Sequence, residues 1–183
     1  PAKEPLQDVP APDGRKTIVC QELPSDIIPT LPASPKTILS EPPNEALEEW
    51  KTEFGNAYIE RNEIADWKID NCVKTFERII GDRSLQSVLE VGCNIGMNLL
   101  ALNRLFNEKC NLYAVEPNKT AFDRVKANAD LQLTDVWNCD GAKIPLGDNT
   151  IDLVFTRGVL IHVPPQNLEQ VTNEIVRVSQ KYV

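Results

Sequence analysis

One stretch constrains the fold more than any other: Ser87-Val-Leu-Glu-Val-Gly-Cys-Asn-Ile-Gly-Met-Asn-Leu-Leu100. Val88 to Val91 reads as a short buried strand, apolar except for Glu90. Gly92 to Gly96 reads as a tight turn. Met97, Leu99, Leu100, Leu102 and Leu105 then recur at helical spacing, so a helix starts at or just after the second glycine. Strand, glycine turn and helix make the first unit of a doubly wound α/β sheet. Such sheets bind ligands outside the carboxyl ends of their strands. Gly92 and Gly96 lack a Cβ and let the backbone pass close to a ligand, while the helix start offers unpaired N–H groups.

The spacing of the turn selects among ligands. A dinucleotide fingerprint has the form Gly-x-Gly-x-x-Gly, and Asn94 stands where its middle glycine would be. A phosphate loop needs Gly-Lys-Ser/Thr at its end, and no lysine follows Gly96. Glu90 would repel a phosphate and attract an ammonium group. These features favour a nucleoside with a cationic tail over a pyrophosphate, and S-adenosylmethionine has that chemistry: an adenosine, a sulfonium, an α-amino group and no phosphate. An oxidoreductase using NAD is disfavoured by the missing glycine.

The second acid lies where such a ligand needs it. Asn111-Leu-Tyr-Ala-Val-Glu116 reads as the second strand, and Glu116 ends it 20 residues beyond Gly96. An acid at that place accepts from both vicinal hydroxyls of a ribose. Pro117 and Asn118 then turn the chain into a helix reaching about Ala129. Leu133 to Asn138 reads as a third, amphipathic strand at a sheet edge. Cys139-Asp-Gly-Ala-Lys-Ile-Pro-Leu-Gly147 reads as a loop, and Ile151-Asp-Leu-Val-Phe-Thr156 as a fourth strand. Leu168, Val171, Ile175 and Val178 mark a last helix, and Tyr182-Val183 the beginning of a fifth strand.

Upstream, Leu47, Trp50, Phe54 and Tyr58 recur at three- or four-residue steps behind Asn44, which can cap a helix. A second helical pattern runs from Ile64 to Ile80 and stops at Gly81. Residues 1–43 hold most of the 14 prolines and little periodicity, with short apolar islands at Thr17 to Cys20 and Ile27-Ile28. They read as a proline-rich arm or linker, or the tail of another domain. Residues 44–183 read as the folded domain. The first residue is proline rather than methionine, which predicts a piece of something longer.

Charge and cysteine usage narrow the partners. A net charge of −8 provides no general field for nucleic acid. No apolar run approaches the ~20 residues that cross a bilayer, and no signal-peptide pattern opens the chain. Cys20, Cys72, Cys93, Cys110 and Cys139 are scattered without a Cys-x-x-Cys pair, as reduced thiols of a cytoplasmic protein would be. Cys93, in the glycine turn, reads as a small space-filling residue. His162 is the only histidine, which argues against a zinc site and against a Ser-His-Asp triad. The oligomeric state is not legible.

Taken together, Leu-Glu-Val-Gly-Cys-Asn-Ile-Gly, Val-Glu-Pro-Asn, Asp-Gly-Ala and Asp-Leu-Val-Phe-Thr-Arg-Gly-Val-Leu-Ile-His-Val, in this order and spacing, resemble the class I S-adenosylmethionine-dependent methyltransferases. More narrowly, Glu53-Phe-Gly-Asn-Ala-Tyr-Ile-Glu-Arg-Asn62 with Gly158-Val-Leu-Ile-His-Val-Pro164 resembles the methylases associated with pseudaminic acid biosynthesis. The resemblance covers about Trp50 to Val183. It implies a Rossmann-like sheet of strand order 3-2-1-4-5-7-6, here ending after about the fourth to fifth strand, beneath an N-terminal helical lid. The fourth strand would then lie near an open edge, an association hazard.

Carried over by the resemblance, Glu90, Gly92, Asn94 and Gly96 would wall the methionine part of the cofactor and Glu116 would hold the ribose. Asp140 would accept from the adenine amino group beside Gly141 and Ala142. Tyr58, Arg61 and Asn62 would belong to the lid. Arg157, Gly158 and His162 would face the reaction centre, His162 as a base and Arg157 as a fork for an acidic sugar. The implied activity is methyl transfer to a small, carbohydrate-type acceptor in polysaccharide biosynthesis, with S-adenosylhomocysteine as product. The reading from a different class is a non-catalytic cofactor-binding or interaction module.

Overall fold

The computed structural model describes residues 8–10, 16–18, 45–107 and 109–183. In chain order they form β1 (Asp8–Pro10), β2 (Lys16–Ile18), α1 (Glu45–Lys51), α2 (Glu53–Arg61), α3 (Asp66–Ile80), β3 (Ser87–Val91), α4 (Met97–Phe106), β4 (Asn111–Val115), α5 (Lys119–Ala127), β5 (Asp135–Trp137), β6 (Ile151–Phe155), α6 (Pro165–Val178) and β7 (Ser179–Tyr182). A short 3₁₀ turn covers Leu160–His162.

The strands make one sheet of order β1-β2-β7-β6-β3-β4-β5. The five strands from β7 to β5 are parallel. From β3 the chain winds outward through β4 to β5, then returns to the other side of β3 for β6 and β7. This reversal is the topological switch point at which open α/β sheets bind ligands. The register pairs Glu90 with Ala114 on one side and Phe155 on the other, and Val91 with Val115. The chain therefore leaves β3, β4 and β6 at one level, and Gly92, Glu116 and Thr156 emerge on a common rim.

The core follows the two-residue period of the strands. Val88, Leu112, Ala114 and Leu153 pack beneath α3 and α4, with Phe76, Leu99 and Leu102. Leu89, Val91, Val115 and Val154 pack on the opposite face, against Val171, Ile175 and Val178 of α6. Burial on both faces is why β3 reads as a nearly continuous apolar run. Glu90 shares the face of Val88, pointing toward α4, and is 1% exposed.

Several expectations need correction. The periodic run through Leu47, Trp50, Phe54 and Tyr58 is two helices, α1 and α2, broken at Thr52. The carbonyl of Trp50 accepts from Asn118 Nδ2 (2.9 Å), and Thr52 Oγ1 closes α1 on the carbonyl of Glu48 (2.8 Å), so tertiary and capping bonds replace helix continuity. Asn44, the expected cap, lies outside the described residues, as do Cys20 and Ile27-Ile28. Within the region read as a proline-rich arm or linker, β1 and β2, which were not expected, pair antiparallel, and β2 joins β7 in parallel at Lys16 and Tyr182. The last strand starts at Ser179 rather than Tyr182. The fourth strand of the resemblance, β6, is consequently interior, between β3 and β7, rather than near an open edge. The third, β5, does lie at the sheet edge. No helix among the described residues is long and apolar enough to cross a membrane.

Candidate functional site

The glycine turn sets the geometry of the rim. Gly92, Asn94 and Gly96 all have positive φ, at 78°, 49° and 82°. A Cβ on Gly92 would stand 2.5 Å from Val159 Cγ2, so a side chain there is excluded by both backbone and neighbour. Gly96 caps α4 in the left-handed conformation, and its Cβ would press on Leu131 and Val125. It faces the core and borders neither cavity described below.

A first cavity opens above the switch point. Gly92, Asn94, Glu116, Asp140, Gly141 and Ala142 border it, and Tyr58, Arg157 and His162 reach it from the lid and from the segment after β6. A second cavity adjoins it across Gly92, Asn94, Tyr58, Arg157 and Gly158. Glu90, Cys93, Asn98, Asn62 and Lys68 border the second. Thus Glu90 belongs to the neighbouring chamber, and Arg61 reaches neither, its guanidinium lying 5.9 Å from the Tyr58 ring centroid.

Glu116 is held rigidly. Its Oε2 accepts from the backbone N–H of Asn94 (2.7 Å) and its Oε1 from that of Asn118 (2.8 Å). Burial pushes its carboxyl above the ordinary range, and these two N–H bonds pull it back down. Each oxygen keeps a lone pair for a hydroxyl donor. Asp140 Oδ1 accepts from Ala142 N (2.9 Å) in a local turn, so its other oxygen is not used by that turn. A Cβ on Gly141 would stand 2.8 Å from Val91 Cγ1, so the turn lies tightly on the sheet.

Glu90 is held differently. Its Oε1 accepts from Asn98 Nδ2 (2.6 Å), while Oε2 is buried without a partner. Burial, with the nearby Glu116 charge, outweighs the Asn98 bond and Arg157 and pushes its carboxyl up to about 8. Asn94 Oδ1 is a second buried acceptor with no partner. Burial and these two acids push the Cys93 thiol well up, which leaves it inert and space-filling. Cys72, Cys93, Cys110 and Cys139 are all free thiols.

The lid contributes residues that sequence reasoning missed. The Trp50 ring lies 4.6 Å from the His162 ring and 5.1 Å from that of Tyr58, forming an aromatic wall on the first cavity. Asn118 joins lid to sheet: its Oδ1 caps α5 at Ala121 N, and its Nδ2 donates to Trp50 O and Asn56 Oδ1. A Cβ on Gly55 would lie 1.8 Å from Trp50 O, so α2 reaches this position only with glycine. Asn118 was legible as a turn residue; nothing in the periodicity distinguished Trp50 from a core aromatic. Arg157 is partly committed, since Nη1 donates to Asn98 Oδ1 (2.9 Å) and to Cys72 Sγ (3.3 Å).

The geometry fits a donor-bearing ligand. Asn94 Oδ1 and, once its carboxyl is deprotonated, Glu90 Oε2 are buried acceptors without a partner, and the fixed Glu116 carboxylate faces the cavity. Ribose hydroxyls and an ammonium group supply the donors these atoms lack, and a pyrophosphate does not.

Comparison with known proteins agrees with this architecture. The "Methyltransferase domain" family profile matches residues 89–181. An uncharacterized protein of Haemophilus influenzae is 26% identical over 97 residues, covering 51% of this chain, and the chain spans only 38% of that relative's length. A SAM-dependent methyltransferase from Aquifex aeolicus superposes with a TM-score of 0.56 at 23% identity, covering 70% of this chain and 69% of the other. A protein of Pyrococcus horikoshii OT3 superposes at 0.58 with 18% identity, covering 72% and 64%. The plantazolicin methyltransferase BamL, solved with SAH, superposes at 0.54 with 16% identity, covering 74% and 52%. These likenesses establish a shared fold. Because the profile covers half of the chain, from β3 into β7, and its span contains the glycine turn, Glu116 and the switch point, this chain belongs to the methyltransferase domain family.

Proposed function

We propose that this protein binds S-adenosylmethionine and transfers its methyl group to a small acceptor. The observation that carries this reading is the Glu116 carboxylate, fixed by two N–H groups with a lone pair left on each oxygen, beside the unpartnered Glu90 Oε2 and Asn94 Oδ1. Glu116 would hold the ribose hydroxyls, Asp140 with Gly141 and Ala142 the adenine, and Glu90 the α-amino group. Gly92 admits the ligand backbone-close. The bound cofactor supplies a methyl group already activated on sulfonium, so the protein's task is mainly positioning.

The acceptor side is formed by Trp50, Tyr58, Arg157 and His162. His162, which borders the first cavity, would take the proton released as an acceptor hydroxyl gains the methyl group. The finer reading is a carbohydrate-type acceptor of the nonulosonic acid class, in polysaccharide biosynthesis. Its support is the resemblance in Glu53 to Asn62 and Gly158 to Pro164, together with an aromatic wall on which a sugar ring can stack and a guanidinium suited to a carboxylate. Free thiols at the four described cysteines support a cytoplasmic setting.

Calorimetric titration with S-adenosylhomocysteine and with NADH tests the cofactor reading. Saturable binding of the first and none of the second is expected. NADH binding without adenosylhomocysteine binding overturns the reading in favour of an oxidoreductase. Labelled methyl incorporation into nonulosonic acid acceptors then tests catalysis; cofactor binding with no transfer to any acceptor assigns the non-catalytic role.

A further inference from the structure

We propose that Asn98 is a positioning residue that stands between Glu90 and Arg157 and thereby keeps Glu90 Oε2 open to the second cavity for an ammonium-bearing ligand. The inference rests on the cofactor reading above and assigns a role to a residue that no motif singles out. Asn98 is the second residue of α4, and its amide meets both neighbours at once. Nδ2 donates to Glu90 Oε1 (2.6 Å), and Oδ1 accepts from Arg157 Nη1 (2.9 Å). Reversing the amide would set its oxygen against the carboxyl oxygen and its NH₂ against the guanidinium, so the two neighbours lock its orientation.

The consequence concerns what Asn98 prevents. A buried carboxyl and a guanidinium on one cavity wall gain by pairing directly. Here each is given a neutral amide partner, and Arg157 Nη1 is held further by Cys72 Sγ. Glu90 is left with one occupied oxygen and one orphan, Oε2, in a residue that is 1% exposed. An orphan of that kind is costly unless a ligand completes it. The other groups facing Glu90 do not complete it: Glu116 after β4 is another acid, and the Cys93 thiol in the turn is held protonated. Lys68 of α3 shares the cavity wall, but its Nζ donates to the carbonyl of Glu63 (2.9 Å).

The test compares two ligands that differ only where Glu90 acts. S-Adenosylhomocysteine carries the amino-acid tail, and 5′-methylthioadenosine carries the same nucleoside without it. In Asn98→Leu, adenosylhomocysteine should bind about tenfold more weakly while methylthioadenosine changes less than about twofold. Asn98→Asp, which keeps an acceptor for Arg157 but sets a second acid on Glu90, should show the same selective loss. The unchanged methylthioadenosine affinity certifies folding in both variants. Adenosylhomocysteine affinity of the unaltered protein should also climb with pH toward about 8 and then level, because Glu90 must lose its proton to pair with the ammonium. In Asn98→Leu the climb should extend to higher pH, since the bond that favoured the carboxylate is gone.

Equal weakening of both ligands, no weakening of either, or an unshifted pH profile overturns the role of Asn98 while leaving the cofactor reading intact. Failure of the unaltered protein to bind either ligand overturns both.

Discussion

The ends of β3 and β4 lie side by side on the sheet, and each buries a glutamate. Glu116 takes its two hydrogen bonds from backbone N–H groups of Asn94 and Asn118, one on each oxygen. Glu90 takes one bond from a side chain, Asn98, and keeps an orphan oxygen. The first arrangement is fixed by the course of the chain and survives side-chain change nearby. The second depends on a replaceable amide and is incomplete without a ligand. Two acids one strand apart are thus prepared for different work: one is a rigid acceptor for neutral donors, the other a carboxyl whose charge awaits a cationic partner.

The largest effect should come from breaking the rigid half. Glu116→Ala leaves the N–H groups of Asn94 and Asn118 without their partner and should lower stability by about 3 kcal/mol, read as a shift in the urea midpoint. It should also reduce adenosylhomocysteine affinity at least about a hundredfold, the loss expected when hydrogen bonds to a charged group disappear. A variant that binds as tightly as the parent would remove Glu116 from the site.

A smaller and pH-dependent effect should come from Glu90. In the ligand-free protein its carboxyl titrates near about 8 instead of the ordinary 4.5, so between those values the folded state holds a proton that the unfolded chain has released. Stability from this group is therefore fully present below 4.5 and falls as pH rises to about 8. The melting temperature of the ligand-free protein should decline across that window, and Glu90→Gln should flatten the decline. Some slope should remain, because the raised carboxyl of Glu116 contributes with the same sign. An unchanged slope in Glu90→Gln would mean that Glu90 is ionised at neutral pH.

The smallest effect should come from an exposed acid. Glu60 pairs with Arg124 across α2 and α5, and both side chains are well exposed, at 67% and 46%. Glu60→Ala should change stability by less than about 0.5 kcal/mol, measured by thermal melting. The lid is instead tied by Asn118 and by the close approach of Gly55 to Trp50. A large loss in Glu60→Ala would shift that role to the surface pair.

The legible part of the site was the part that lies within a few residues of a glycine or a strand end. Gly92, Asn94 and Glu116 could be read because a tight turn and a terminal acid leave a local record. Gly96 was legible as a conformational necessity, but its φ of 82° serves the helix start and the packing on Leu131 and Val125, not the cavity. Trp50, Asn98 and Asn118 were missed as site residues because their roles depend on partners 59 to 112 positions away: Arg157 for Asn98, Asn56 and the Trp50 carbonyl for Asn118, His162 for Trp50. A periodicity pattern cannot distinguish an aromatic that packs in a core from one that walls a cavity.

The sequence by itself determined the alternation of strands and helices, the place of the glycine turn and the two acids at strand ends, because hydrophobic period and turn chemistry act over short stretches of chain. It also predicted edge position for the third strand. Only the tertiary structure decided that β7 pairs with β6 and makes it interior, that the apolar island before the lid supplies a strand beyond β7, and that the first helix breaks where Asn118 claims a carbonyl. It alone decided that Glu90 and Glu116 face adjoining cavities with different hydrogen-bond partners. Those outcomes turn on which distant groups compete for the same donor, acceptor or sheet edge, and that competition is resolved only once the chain has folded.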